Sequence, residues 1–276
     1  MRIATWNLNS VTARLPRLLD WLGTAEPDVV CLQELKVSES AFPYDELDAL
    51  GYAAAVNANG RWNGVAIASR VGLEGERSGL PDEPGYLADD ALIPADERRA
   101  VAATCGGVRV WSVYVPNGRE VGHPHFTYKL AWLDALVAVA TSETTAVPER
   151  PFVVLGDFNI APTDADVWNA AAFVGSTHVT PDERARLDAL RAAGLREVVP
   201  RALKYDTPYT YWDYRQLAFP KNTGMRIDLA FGNAAFADGV ADAYVDREAR
   251  KGKDPSDHAP VVVDVVLPDT CAGGDV

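Results

Sequence analysis

One α/β domain is the fold that the sequence predicts, on three observations. Short β-branched and aromatic runs, each bounded by Gly, Pro, Asn or Asp, recur along the chain as strands do. Stretches with apolar residues at helical spacing lie between some of them. No Ser/Gly-rich linker, charge block or tandem repeat divides the 276 residues. Many of the runs are apolar on both faces, so a sheet made from them needs cover on both sides.

In chain order the predicted strands are RIATWNL (2–8), DVVCLQE (28–34), GVAIAS (64–69), AVAATC (100–105), VRVWSVYV (108–115), PFVVLGDFN (151–159), RIDLAFGN (226–233) and APVVVDVVL (259–267). After Thr12, the spacing of Leu15, Leu18, Leu19 and Leu22 predicts a helix, with Pro16 in its first turn. Leu130, Leu133, Leu136 and Val137 predict a second. A third runs from Pro181 to Ala193: Thr180 and Glu183 form a capping box, Pro181 takes the first position and Gly194 ends it. Segments 84–99 and 207–223 read as long surface loops, a common place for function.

An apolar content of 48% supports a sizeable core. The net charge of -13, from 39 acidic and 26 basic residues, argues against a protein that coats nucleic acid indiscriminately. It argues less against an enzyme that holds a hard metal ion. Cys31, Cys105 and Cys271 are an odd, scattered set, which points to a reducing compartment and to neither a disulfide framework nor structural zinc. The N-terminus lacks a secretory pattern and no apolar run approaches the ~18 residues of a membrane span. A soluble cytoplasmic protein is expected, with one domain over 1–267 and a disordered tail over 268–276.

Polar residues mark the strand exits: Asn7 and Asn9, Gln33 and Glu34, Tyr114 and Asn117, Asp157 and Asn159. Residues two apart on an extended strand face the same side. Asp228 lies inside an apolar run, where an unpaired carboxylate would cost several kcal/mol, so a donor must face it. His258 and Arg226 are the two candidates. With His258 as partner, Asp228 would fix one imidazole tautomer and raise the basicity of the other nitrogen. The PSDHAP loop frees Asp257 and His258 from strand alternation, so the two need not share a partner. Glu34, Asp157 and Asp257 with the amides of Asn7 and Asn159 make an all-oxygen set, suited to Mg²⁺ or Mn²⁺. Metal, His–Asp pair and amides together indicate phosphoryl hydrolysis.

TWNLNS, LQELK, VYVPNG, GDFNIAPTDADVW, YTYWDYR, GMRIDL and PSDHAP, in this order from Met1 to about Leu267, resemble bacterial exonuclease III, the abasic-site endonucleases of the endonuclease/exonuclease/phosphatase superfamily. NIAPTD and WDYR are similar to the DNA-repair branch in particular. The resemblance implies a DNase I-like, four-layered α/β/β/α sandwich of two packed mixed sheets, with a metal site at one edge. It implies Glu34 as principal metal ligand beside Asn7, with Asp257, Asp157, Asn159 and His258 completing the surroundings of the ion. Asp157 and Asn159 would position or deprotonate the attacking water, and Asp228 would orient His258. Whether Asp157 or His258 is the base stays open. Tyr114 and Asn117 would contact phosphate, Tyr114 as part of the catalytic set. Tyr211, Trp212, Met225 and Ile227 would line the pocket for an extrahelical sugar, with Lys129 a further substrate contact.

The implied activity is Mg²⁺-dependent (Mn²⁺ as substitute) hydrolysis of the phosphodiester 5′ to an abasic site, with 3′–5′ exonuclease and 3′-end-cleaning activity. The partner would be double-stranded DNA with abasic sites or blocked 3′ ends, bound by a monomer. Phosphate tracking needs local positive charge, for which Arg61, Arg99, Arg119, Lys129, Arg215, Lys221 and residues 247–253 are candidates. The alternatives are undamaged DNA or a lipid headgroup as substrate, the latter disfavoured by the lack of a membrane-binding helix and by the repair-branch blocks, and a non-catalytic nucleic-acid-binding regulator, which should have lost the ligands that are all present here.

Overall fold

The computed structural model describes residues 1–87, 95 and 97–267; the expected tail and much of the 84–99 loop lie outside them. The strands are β1 (Arg2–Asn7), β2 (Val29–Gln33), β3 (Ala53–Asn57), β4 (Val65–Ser69), β5 (Glu74–Ser78), β6 (Ala100–Cys105), β7 (Val108–Tyr114), β8 (Phe152–Asp157), β9 (Arg196–Glu197), β10 (Arg201–Ala202), β11 (Asp228–Gly232), β12 (Val240–Val245) and β13 (Val261–Val265). The helices are α1 (Val11–Ala25), α2 (Tyr44–Asp48), α3 (Pro124–Ala146), α4 (Pro181–Ala192), α5 (Ala218–Lys221) and α6 (Ala234–Ala237). One sheet has the order β10-β12-β13-β1-β2-β4-β3, the other β5-β6-β7-β8-β11-β9.

Strand alternation creates the layers. Ile3, Val29, Cys31, Val65 and Ile67 face Val101, Ala103, Val110, Val153 and Leu155 between the sheets. The opposite faces, Ala4, Trp6, Val30 and Leu32, pack under Leu18, Trp21 and Leu22 of α1. Trp111, Val154, Leu229 and Phe231 of the second sheet pack with Trp132, Leu133 and Leu136 of α3 and Leu187 and Leu190 of α4. The result is helix, sheet, sheet, helix.

All eight predicted strands are present. Helix α4 has the expected capping box, with the Thr180 hydroxyl accepting from the Glu183 amide and the Glu183 side chain from the Thr180 amide. Helix α1 starts at Val11, capped by the Ser10 hydroxyl, so Pro16 falls in its second turn rather than its first. Helix α3 extends in both directions from the predicted core, because Pro124 follows the His123 cap and buried side chains continue to Ala140.

Candidate active site

Paired strand ends bring the functional side chains together. Strands β1 and β2 are parallel neighbours with Asn7 opposite Gln33, and β8 and β11 place Asp157 opposite Asp228 in the other sheet. The sheets meet at this end, where Asn7 Nδ2 donates to Glu34 Oε1 and to Asp157 Oδ2, each at 2.9 Å. Just beyond the strands the chain turns through the left-handed region at Asn9, Glu34 and Asn159 (φ 48, 52 and 51°). Such non-glycine backbone is costly and persists where surrounding bonds hold it. The Asn7 carboxamide oxygen accepts from Asn9 N at 2.9 Å and Asp157 Oδ1 accepts from Asn159 N at 2.8 Å, the same two-residue turn at both exits. Gly156 precedes Asp157 because β7 approaches so closely that a Cβ there would lie 1.9 Å from the Val113 carbonyl oxygen.

Residues 255–260 are stitched onto β1. Ser256 Oγ donates to the Asn7 carbonyl at 2.7 Å, His258 N donates to Ser256 Oγ at 3.1 Å, and Trp6 Nε1 donates to the His258 carbonyl at 3.1 Å. His258 Nδ1 lies 2.8 Å from Asp228 Oδ2. A carboxylate only accepts, so Nδ1 carries a proton and Nε2 faces Asp157 Oδ2, 3.8 Å away. Arg226 is spent elsewhere, on Asp166 and Glu197. Asp257 turns the other way and accepts from Asn9 Nδ2 at 3.1 Å. The neighbours in the loop therefore serve different partners.

Burial works against the His258 cation, but the charge and hydrogen bond of Asp228, helped by Asp157 and Asp257, outweigh it and raise its pKa to about 10. Asp157 is pushed up to about 7 by burial, opposed by the His258 charge and reinforced by Asp228 and Glu34. Glu34 is also raised by burial, yet Lys36, 2.8 Å from Oε2, and the Asn7 amide bring it below its ordinary value. Burial and the Glu34 charge push the Tyr114 phenol well up. Ligand atoms of Glu34, Asp157 and His258 all lie within 4.8 Å of one another, the one such group among the described residues. A buried carboxylate held up to about 7 chiefly by burial, with the charges of Asp228 and Glu34 adding to it, fits a divalent cation, which would favour the anion.

Several expected roles change with the structure. Asn7, as placed, directs its amide nitrogen at the carboxylates and its oxygen at Asn9 N. Asn159 uses Nδ2 on the Val115 carbonyl and Oδ1 on Asn117 Nδ2. Asp257 lies outside the converging group of carboxylates and imidazole, whereas Asn7 sits against it, bonded to both Glu34 and Asp157. Trp212 is 1% exposed and packs with Tyr209, Ala218 and Val261, so it supports the 207–223 loop from beneath instead of lining a pocket. Tyr211, its ring centroid 5.0 Å from that of His258, is the pocket candidate nearest the chemistry. Met225 and Ile227 are buried beside it with Ala161 and Val167.

Lys129 is 0% exposed, and its ammonium donates to the carbonyls of Asn159 (2.7 Å) and Asn117 (3.2 Å) and pairs with buried Glu183. It ties together the loops that carry Asn117 and Asn159 and has no face for substrate. Lys129→Met leaves the Glu183 carboxylate buried without its cation, which should cost about 3–5 kcal/mol of stability in urea unfolding. An unchanged unfolding midpoint would exclude this anchoring role. Arg99, Arg247 and Arg250 are also buried, stacked on Tyr114, Phe219 and Tyr214 among others, so charge in the sequence overstated the phosphate track.

Two positions escaped the reading of the sequence. Lys36 links Glu34 to Asn9 Oδ1, and its signal was there: it follows Glu34 by two, like the Asn7/Asn9 and Asp157/Asn159 pairs. Thr210 Oγ1 accepts from the Ile227 and Asp228 amides, each at 3.1 Å; it lies inside the YTYWDYR block, but nothing in that block marks its hydroxyl as the support of Asp228.

Known proteins of similar sequence and shape bear on this arrangement. Exodeoxyribonuclease III of Haemophilus influenzae is 29% identical over 272 residues, 95% of this chain and 98% of its own length. A structure of the 3′ phosphatase NExo from Neisseria bound to product DNA hairpin superposes with a TM-score of 0.88 at 36% identity, covering 97% of this chain and 100% of that one. An AP endonuclease from Archaeoglobus fulgidus gives a TM-score of 0.86 at 30% identity, with 97% and 100% covered. The two sheets and outer helices are thus the DNase I-like sandwich of these enzymes. Residues 4–258, from β1 to the histidine that faces Asp157, match the Endonuclease/Exonuclease/phosphatase family, and the chain belongs to it.

Proposed function

We propose that the chain is a DNA-repair phosphoesterase that hydrolyses the phosphodiester 5′ to an abasic sugar and clears blocked 3′ ends, leaving a 3′-hydroxyl. The observation that carries this reading is the convergence of Glu34, Asp157 and an Asp228-paired His258 at one sheet edge. Mg²⁺ held by Glu34 would neutralise charge on the phosphate and on the departing 3′ oxygen.

Asp157 Oδ2 takes the proton of the attacking water, being a buried carboxylate poised at about 7. The water oxygen forms its bond to phosphorus as the bond to the 3′ oxygen breaks. His258 Nε2–H donates to a phosphate oxygen, and Asp228 Oδ2 holds the ring in that protonation state. The Tyr114 hydroxyl, kept protonated by burial and Glu34, is a second donor toward the phosphate. Tyr211 closes the side of the site beside the imidazole and helps exclude water.

The test is one duplex with a single abasic analogue, assayed with chelator and with Mg²⁺, alongside a 3′-recessed duplex and a 3′-phosphate end. Incision lost with chelator and restored by Mg²⁺ is the expected result, and the ratio among the three substrates reads out the balance of activities. No metal-dependent cleavage of any of them would overturn the proposal. Tight binding without cleavage would instead favour a regulator that acts by occupancy.

A further inference from the structure

The chain has seven tryptophans, and five follow one rule. Trp6, Trp21, Trp111, Trp132 and Trp212 are buried, and each indole N–H has an acceptor. Trp62 is 64% exposed, but Arg61 lies over its ring at 5.1 Å. Trp168 is 46% exposed and has neither an N–H acceptor nor an aromatic or cationic neighbour among the described residues.

This exposure is not that of a loose loop. Trp168 N donates to the Gly224 carbonyl at 3.0 Å. The preceding Val167 bridges Met225 in antiparallel fashion, and the following Asn169 caps the 170–173 turn. Asp166, two residues earlier, is fixed by Arg226. Since Val167 is turned into the core, strand alternation sends the Trp168 indole outward. Met225 in turn bridges Tyr211, and Tyr211 bridges His258. A rigidly held, unpaired indole therefore stands one short chain of contacts from the catalytic imidazole.

We propose that Trp168 is a stacking platform for a nucleobase of the DNA strand whose phosphate is cleaved. The inference rests on the DNA-cleaving reading of the site. A chain of net charge -13, with three of its candidate arginines buried under aromatic rings, is short of free cations for grip. A neutral indole gives sequence-independent affinity without them. Only a base with a free face can stack on it, so the platform favours DNA that is frayed or unstacked beside the scissile phosphate, as at an abasic site or a 3′ end.

Trp168→Ala and Trp168→Phe are compared with the unchanged enzyme on abasic and 3′-recessed duplexes. The nucleotide on each side of the scissile phosphate either keeps its base or is replaced, in turn, by a base-free analogue. Trp168→Ala should raise KM about tenfold with kcat nearly unchanged. The penalty should vanish when one particular neighbouring base is removed, and Phe should restore most of the affinity. An unchanged KM in Trp168→Ala, or a penalty equal with and without both bases, overturns the proposal. A second readout is independent of cleavage: under chelator, short single-stranded DNA should quench emission of the unchanged protein more than that of Trp168→Phe. Cleavage failing while this quenching persists would sink the nuclease reading and leave the platform standing; equal quenching sinks the platform.

Discussion

Asp157→Asn should lower the single-turnover rate of abasic-site incision roughly 10²- to 10⁴-fold while leaving the fold intact. The substitution is nearly isosteric, and the asparagine oxygen still accepts from Asn159 N, so the turn beyond β8 is kept. What disappears is the oxygen that can take a proton. Asp157 ionises at about 7 because burial raises it, with Asp228 and Glu34 adding to the effect against the His258 charge. The working form is the anion, so the rate of the unchanged enzyme should rise with pH through the ionisation of this carboxyl, and a cation beside it, by favouring the anion, should place that limb below the metal-free value of about 7. The variant should lose that limb. A pH–rate profile for both proteins checks the assignment, and a variant that keeps the limb at near-normal rate would transfer the role of base to another group.

Asp228→Asn should cost stability as well as activity. Asp228 is fully buried and its charge holds His258 as a buried cation, so its loss should lower the melting temperature, removal of one partner of a buried ion pair costing about 3–5 kcal/mol. The rate should fall by up to about 10⁴-fold, the size of effect seen when the carboxylate of an Asp–His pair is neutralised. The reason is the partner: Asp228 supplies the largest upward contribution to the His258 pKa, which stands at about 10. Without it, burial lowers the imidazole toward or below its ordinary value, and Nε2–H is lost at neutral pH. The sign is definite. A His whose pKa has dropped keeps its proton at low pH and loses it as pH rises, so the variant should be least impaired in acid and most impaired in alkali. A deficit independent of pH would point to a displaced loop instead. Combining Asp228→Asn with His258→Ala should cost little more than His258→Ala alone, because the two act as one unit.

Eight strands were legible because they are buried on both faces and punctuated by turn residues; β5 has the punctuation, in Gly72 and Gly79, but its five residues EGERS are all exposed. Strand β3 is mostly alanine and declares itself only by pairing with β4. Strand β12 was also missed, its apolar residues being interrupted by Ala241 and Asp242 across a register shift beside β13.

By itself the sequence determined that the strands need cover on both faces, through their apolar residues, and the chemistry at the strand exits, through Glu34, Asp157, Asp228 and His258; the order of the four layers came with the family resemblance. The first two follow from local rules of period and punctuation. Only the tertiary structure decided which cations are spent inside the protein. Lys129 and Arg99 look in sequence like phosphate contacts, yet one anchors two loops and the other stacks on Tyr114. It also decided that Trp212 is core while Trp168 is left exposed. Burial and pairing of a long side chain depend on residues far away in sequence, and no local pattern encodes them.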